Sequence, residues 1–184
     1  MADDEDDLVP LVPGRSCGDC SLCCKLLHVE EFDKPAGKWC EHCAPGRGGC
    51  TVHETRPNVC RNFYCSWMTS PGMGPEWRPN QCNMVMYLEG QRDVFGIRVD
   101  PGDPTAWRRE PHYGQLKNFA AALVERRQQL VVYVGERAFL ILPNKDVDLG
   151  NVGHGDQIAV KEFRGPNGRD WHVSLKAANA IASR

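Results

Sequence analysis

The sequence predicts an α+β protein, in which a small cysteine-rich N-terminal module precedes an α+β domain with antiparallel hairpins and one main helix. Three observations lead to this prediction. All ten cysteines lie between residues 17 and 82. That same stretch is rich in Gly and Pro and has few apolar runs, so it can bury little hydrophobic surface. The residues after it alternate between strand-like and helix-like apolar patterns, as in an ordinary folded domain.

The charge distribution divides the chain into three segments. Residues 1–16 carry a net charge of −4 and form an acidic tail that we expect to be disordered. Residues 17–82, the cysteine-cluster module, are neutral, and residues 83–184, the α+β domain, carry +2. Because no broad positive surface is present, the sequence argues against a nucleic acid partner.

The C-terminal segment shows its elements in a clear order. Two strand-like runs are separated by a turn that contains Gly90. A helix follows, because Leu116, Phe119, Ala120, Leu123 and Val124 form one apolar stripe at helical spacing. Two hairpins come last, the first about residues 135–137 and the second about residues 165–168. The predicted strands are 83–89, 94–99, 130–134, 138–142, 158–163 and 171–175, and the predicted helix spans His112–Gln129.

Cysteines at this density are either cross-linked to one another or bound to metal, and the expected cellular compartment favours metal. The first residues lack the basic, apolar and small-residue regions of a secretory signal, and no apolar run is long enough to span a bilayer. We therefore expect a cytoplasmic protein, with no membrane association, in which stable disulfides are uncommon. A small module with little core also needs the folding free energy that a bound metal supplies.

The first cysteine run has the spacing of a metal site in either of two geometries. On a helix, Cys17, Cys20 and Cys24 would fall within about 60° of arc, with Cys23 about 60° further round. In a loop, Cys-x2-Cys is a metal-binding knuckle, and Cys-x2-Cys-x2-Cys is the three-ligand run of an iron–sulfur site. The adjacent Cys23 and Cys24 cannot both face one centre in regular structure, so either two centres share this run or one of the pair is structural.

A second group of cysteines supplies further ligands. Cys40-x2-Cys43 and Cys50-x2-His53 are both knuckle-like. Pro57 suits the first position of a short helix, which would place Cys60 in the first turn, where the helix dipole lowers a thiol pKa. That helix must end before Cys65 if both thiols bind one ion, since five residues correspond to about 140° of rotation.

The motifs CGDCSLCC and WCEHCAPGRGGCTVHETRPNVCRNFYC closely resemble the YkgJ-type CxxCxxCC cysteine-cluster family. This family is described as a zinc- or iron-chelating domain, and the resemblance covers residues 17–65. The sequence departs from the family pattern at Cys43, at His53 and at Cys82. The resemblance implies that eight cysteines are the metal ligands: Cys17, Cys20, Cys23, Cys24, Cys40, Cys50, Cys60 and Cys65.

The sequence leaves several functional alternatives open. The ligands suit zinc and an iron–sulfur cluster such as [4Fe–4S] equally, and His42 and His53 are possible additional ligands that would favour zinc. The preferred function is a metal-binding protein that chelates one of these through clustered cysteines. The alternatives are an iron–sulfur redox or enzyme component associated with methyl transfer, suggested by the likeness of YkgJ-like domains to part of flagellin lysine methylases, and a zinc-dependent protein-interaction module. No catalytic residue is predicted, and a protein partner remains unidentified.

Overall fold

The structure is a computed structural model that describes residues 10–44, 48–89, 93–153, 155–166 and 168–178. The predicted acidic tail falls mostly outside these residues. The chain divides into two compact units, Met1–Tyr87 and Leu88–Arg184. Both helices and strands are present, with antiparallel hairpins, so the fold class is α+β.

The first unit is built from short helices and turns. Its α-helices are α1 (Leu22–Leu26), α2 (Asn58–Arg61), α3 (Ser66–Thr69) and α4 (Pro79–Cys82). A small apolar cluster of Leu22, Leu26 and Val85 holds α1 in place, since the two leucines lie four residues apart on one helix face. Cys20, Phe63 and Cys65 pack against the same cluster.

The strands of the structure form two sheets. A five-stranded sheet has the order β1-β2-β3-β4-β5, and β6 and β7 form a separate hairpin. The strands are β1 (Met84–Glu89), β2 (Val94–Val99), β3 (Gln129–Val134), β4 (Arg137–Ile141), β5 (Asp146–Asn151), β6 (Gln157–Gly165) and β7 (Gly168–Lys176). The β3–β4 and β6–β7 hairpins are antiparallel, as the sequence predicts.

The main helix, α5 (His112–Glu125), connects β2 to β3. It buries Leu116, Ala120 and Leu123 completely, which confirms the predicted stripe. The helix ends at Glu125 rather than at the predicted Gln129. Arg127 adopts a left-handed conformation (φ 60°), and Gln128 N–H donates back to the Leu123 carbonyl at 3.0 Å. This reversal caps the last turn of the helix and releases the chain into β3.

Two features of the sheet were not predicted. β2 and β3 pair in parallel, with Ile97 opposite Val132, so the helix between them is a crossover connection. Strand β5 pairs antiparallel with β4 although its burial is only partial and its Gly150 has a positive φ. A glycine within a strand weakens the strand pattern, so the local sequence does not predict β5.

Candidate metal centre

The first cysteine run folds as a turn followed by a helix. Cys20 N–H donates to the Cys17 carbonyl at 2.7 Å, with Gly18 at a positive φ in the turn between them. Helix α1 begins at Leu22 and carries the two adjacent cysteines, Cys23 and Cys24. The run is thus a loop knuckle at its start and helical at its end, so neither predicted geometry applies to all of it.

The thiols of Cys23 and Cys24 are hydrogen-bonded to each other, and this bond shifts their pKa values in opposite directions. It raises the pKa of Cys23 well above the usual range, with burial acting in the same direction. It lowers the pKa of Cys24 to about 7, with the Lys34 ammonium as a further favourable charge. Cys24 is therefore the thiol that most readily supplies a thiolate, which is the form that binds metal.

Cys40, Cys43 and Cys50 lie in a short hairpin. Cys43 N–H donates to the Cys40 carbonyl at 3.1 Å, and Cys43 forms an antiparallel bridge with Cys50. Cys40 N–H also donates to the Cys24 carbonyl at 2.9 Å, so the backbone itself ties this hairpin to α1. The part of the loop at 45–47 lies outside the described residues.

A helix end lies between Cys60 and Cys65, because α2 stops at Arg61 and Cys65 is the N-cap of α3. The predicted acidity of Cys60 is wrong: its pKa is raised. Burial is the largest cause, followed by the neighbouring thiols of Cys24, Cys40 and Cys50. Helix α2 has only four residues, with Pro57 as its N-cap rather than its first residue, so its dipole is too small to outweigh burial.

Most electrostatic contacts among the predicted ligands fall within two sets. Cys65 interacts with Cys17 and Cys20, and Cys23 interacts with the same two residues. Cys60 instead interacts with Cys24, Cys40 and Cys50. We call these the first set (Cys17, Cys20, Cys23 and Cys65) and the second set (Cys24, Cys40, Cys50 and Cys60). The two sets meet at Cys24, which is hydrogen-bonded to Cys23 and also interacts with Cys17.

Lys34 is a buried cation beside the second set that the sequence analysis did not identify. Its residue is only 5% exposed, and its ammonium donates to the carbonyl oxygens of Lys25, Pro35 and Lys38 at 3.2, 3.0 and 2.9 Å. Burial lowers the pKa of Lys34, while four thiols act in the opposite direction: Cys40, Cys24, Cys23 and Cys60. Nothing in the local sequence distinguishes Lys34 from an ordinary surface lysine, because its burial is a tertiary property.

Four residues outside the predicted ligand set differ in their burial and contacts: Cys82, His53, His42 and Cys43. Cys82 is 4% exposed, its thiol lies 3.4 Å from the Met84 carbonyl, and burial raises its pKa to about 12. The side chain of His53 is 63% exposed and lies beside Glu54, and His42 packs edge-on against Phe32. Cys43 interacts with Cys24, Cys40 and Cys50 and is hydrogen-bonded to Ser21, while burial raises its pKa.

The donor chemistry suits a soft metal, because all ten cysteines are reduced and two sets of four thiols are neighbours. Within the ranges that the structure describes, no three His, Cys, Asp or Glu side chains are grouped so that they could hold a metal ion as they stand. No helix within those ranges is long and apolar enough to cross a bilayer.

Comparison of the chain with family models, with curated proteins and with solved structures gives no match. The resemblance to the YkgJ-type family therefore depends on the cysteine motifs alone.

Proposed function

We propose that this protein binds metal, as zinc or an iron–sulfur cluster, through the cysteines of the unit that ends at Tyr87. The observation that supports it is the clustering of reduced thiols from distant segments, with Cys60 beside Cys24, Cys40 and Cys50. Cys20 and Cys65 pack against the apolar cluster, but this packing gives the other thiols of a small unit no common role. Bound metal would give them one, since metal binding contributes folding free energy.

The two sets lead to a more specific form of the proposal, in which the protein has two centres with four sulfur ligands each. Four thiolates satisfy a closed tetrahedral zinc site and equally an iron–sulfur cluster. The first centre would use Cys17, Cys20, Cys23 and Cys65, and the second would use Cys24, Cys40, Cys50 and Cys60. Adjacent Cys23 and Cys24 would then serve different centres, which resolves the difficulty that they cannot both face one.

The Lys34 ammonium supports a negatively charged second centre. A buried charge is costly unless it is balanced, and the carbonyl oxygens that accept its hydrogen bonds carry no net charge. The thiols around it would carry the balancing negative charge once they bind metal as thiolates. Lys34 would thus lower the energetic cost of gathering several thiolates in one place.

Coordination would require the sulfurs to move, because no metal-holding group is present among the described side chains. The position of a cysteine sulfur depends on a single side-chain torsion, χ1. Rotation between staggered χ1 positions moves the sulfur while the backbone stays in place. The backbone ties of the second set, including the Cys40–Cys24 hydrogen bond, can therefore persist while the thiols turn toward an ion.

Metal analysis of the full chain tests the proposal. The protein is purified without oxygen, zinc and iron are measured by elemental analysis, and an absorption spectrum is recorded before and after dithionite. We expect metal in at least stoichiometric amount. Visible absorbance that dithionite bleaches assigns an iron–sulfur cluster, and a colourless protein with bound zinc assigns zinc. Only traces of either metal, together with ten titratable thiols, would refute the proposal.

A matched pair of substitutions tests the ligand assignment. Cys60→Ser should lower the metal content and destabilise the protein, because the lost ligand removes coordination and folding free energy together. Cys82→Ser is the control, since the new hydroxyl can donate to the Met84 carbonyl as the thiol does. Equal metal loss in both variants would contradict the assigned roles.

A further inference from the structure

Cys43 and Cys50 occupy directly opposite positions in the cysteine hairpin. The hydrogen bonds on either side of them define the type of pair. Thr51 N–H donates to the His42 carbonyl at 2.8 Å, and Ala44 N–H donates to the Gly49 carbonyl at 2.9 Å. The bonds therefore flank the two cysteines instead of joining them, which makes this a non-hydrogen-bonded antiparallel pair. In such a pair the Cα atoms are about 4.5 Å apart and the side chains share one face.

This spacing matches the requirement of a disulfide. Bridged cysteines have Cα atoms about 4.4 to 6.8 Å apart, so the spacing of a non-hydrogen-bonded pair falls within the range that a disulfide can join. Both residues are reduced and only partly buried, which leaves them open to a small reagent. Cys82, by comparison, is buried, and Cys23 and Cys24 are adjacent in a helix.

We propose that Cys43 and Cys50 form a reversible dithiol–disulfide pair, oxidised by a small-molecule disulfide such as oxidised glutathione. One protein thiolate attacks the reagent disulfide, forms a mixed disulfide and releases one glutathione thiolate. The second protein thiolate then attacks the mixed disulfide, forms the Cys43–Cys50 bond and releases the other glutathione. The protein loses two electrons and two protons, and the reagent is reduced to two thiols.

The pair would also connect redox state to metal content, a consequence that depends on the proposed function. Cys50 belongs to the second set of proposed ligands, and a sulfur in a disulfide is no longer a thiolate ligand. Oxidation would therefore remove one ligand of the second centre through Cys43, a cysteine outside both sets. The disulfide itself requires no metal, so the two proposals can fail separately.

The experiment titrates the reduced full chain with oxidised glutathione until every thiol is consumed, with released metal measured in the same samples. Trypsin cleaves after Arg47, so the peptides that contain Cys43 and Cys50 stay together only when they are cross-linked. We expect the first cross-link to join these peptides, with fragment ions that locate it at Cys43 and Cys50. A first cross-link between other cysteines, or glutathione adducts without this cross-link at any stage, would overturn the proposal.

Two variants make the titration specific. Cys43→Ser should lose the cross-link, and Cys82→Ser should keep it, with circular dichroism confirming that both are folded. A Cys43–Cys50 cross-link in protein that contains neither zinc nor iron would support the redox pair and refute the proposed function. Bound metal with no such cross-link at the end of the titration would support the proposed function and refute the redox pair.

Discussion

The backbone N–H of Cys40 donates a 2.9 Å hydrogen bond to the carbonyl oxygen of Cys24. This bond fixes the cysteine hairpin against helix α1 through main-chain atoms, so it is independent of the state of the thiols. Cys60 interacts electrostatically with both Cys24 and Cys40. The second set of thiols is therefore held near one place by the fold before any ligand bond is formed.

The different acidities of Cys24 and Cys82 predict an order of chemical modification. The pKa of Cys24 is lowered to about 7 and that of Cys82 is raised to about 12, and only a thiolate reacts readily with iodoacetamide. In reduced protein with chelator and without denaturant, Cys24 should be alkylated first at neutral pH and Cys82 last. Peptide mass spectrometry measures the order. Early labelling of Cys82 in folded protein would contradict its burial.

Lys34→Met should destabilise the first unit. The substitution leaves three carbonyl oxygens without their donor, and each lost hydrogen bond costs on the order of 1 kcal/mol. We expect a lower midpoint in urea unfolding and a lower metal content. The exposed Lys38 provides the control, because its side chain reaches solvent and Lys38→Met should change little. Equal effects at both positions would exclude a special role for the buried ammonium.

Leu116→Ala should destabilise the second unit without removing metal. Leu116 is fully buried on α5, and truncation of a core leucine costs about 2 to 5 kcal/mol. Urea unfolding measures this loss, and elemental analysis of the folded variant should give the wild-type metal content. Asn118→Ala, on the exposed side of the same helix, is the control. Metal loss in folded Leu116→Ala protein would show that the centres depend on the second unit.

The lowered pKa of Asp170 predicts a contribution to folding stability that is lost in acid. Hydrogen bonds from Lys145 and from the Trp171 N–H lower its pKa in the folded state. A depressed carboxyl pKa stabilises the fold above the unfolded pKa, about 3.9, and this contribution disappears as the pH falls through the folded value. Asp170→Asn should therefore be less stable than wild type at neutral pH. In thermal unfolding, the difference should diminish as the pH falls below about 3.9 and disappear once the pH lies below the folded pKa. A difference that persists there would have another cause.

The sequence predicted local elements better than their pairing. The stripe on α5 and the two antiparallel hairpins were found because their apolar spacing and turn residues are properties of short segments. The parallel pairing of β2 with β3 joins segments that are distant in the chain, and no local pattern records it. β5 was missed because Gly150 weakens a strand pattern that only its partner strand β4 completes.

By itself the sequence determined the chemistry available to this protein: ten thiols in its first half, with Cys-x2-Cys spacings that suit a soft metal. Spacing is a local property, so it could name candidate ligands but could not assign them to centres. The tertiary structure decided which distant thiols are neighbours, with Cys60 beside Cys24, Cys40 and Cys50, and it placed Cys43 opposite Cys50. It also buried Lys34 among the thiols, because burial and proximity arise only when distant segments pack together.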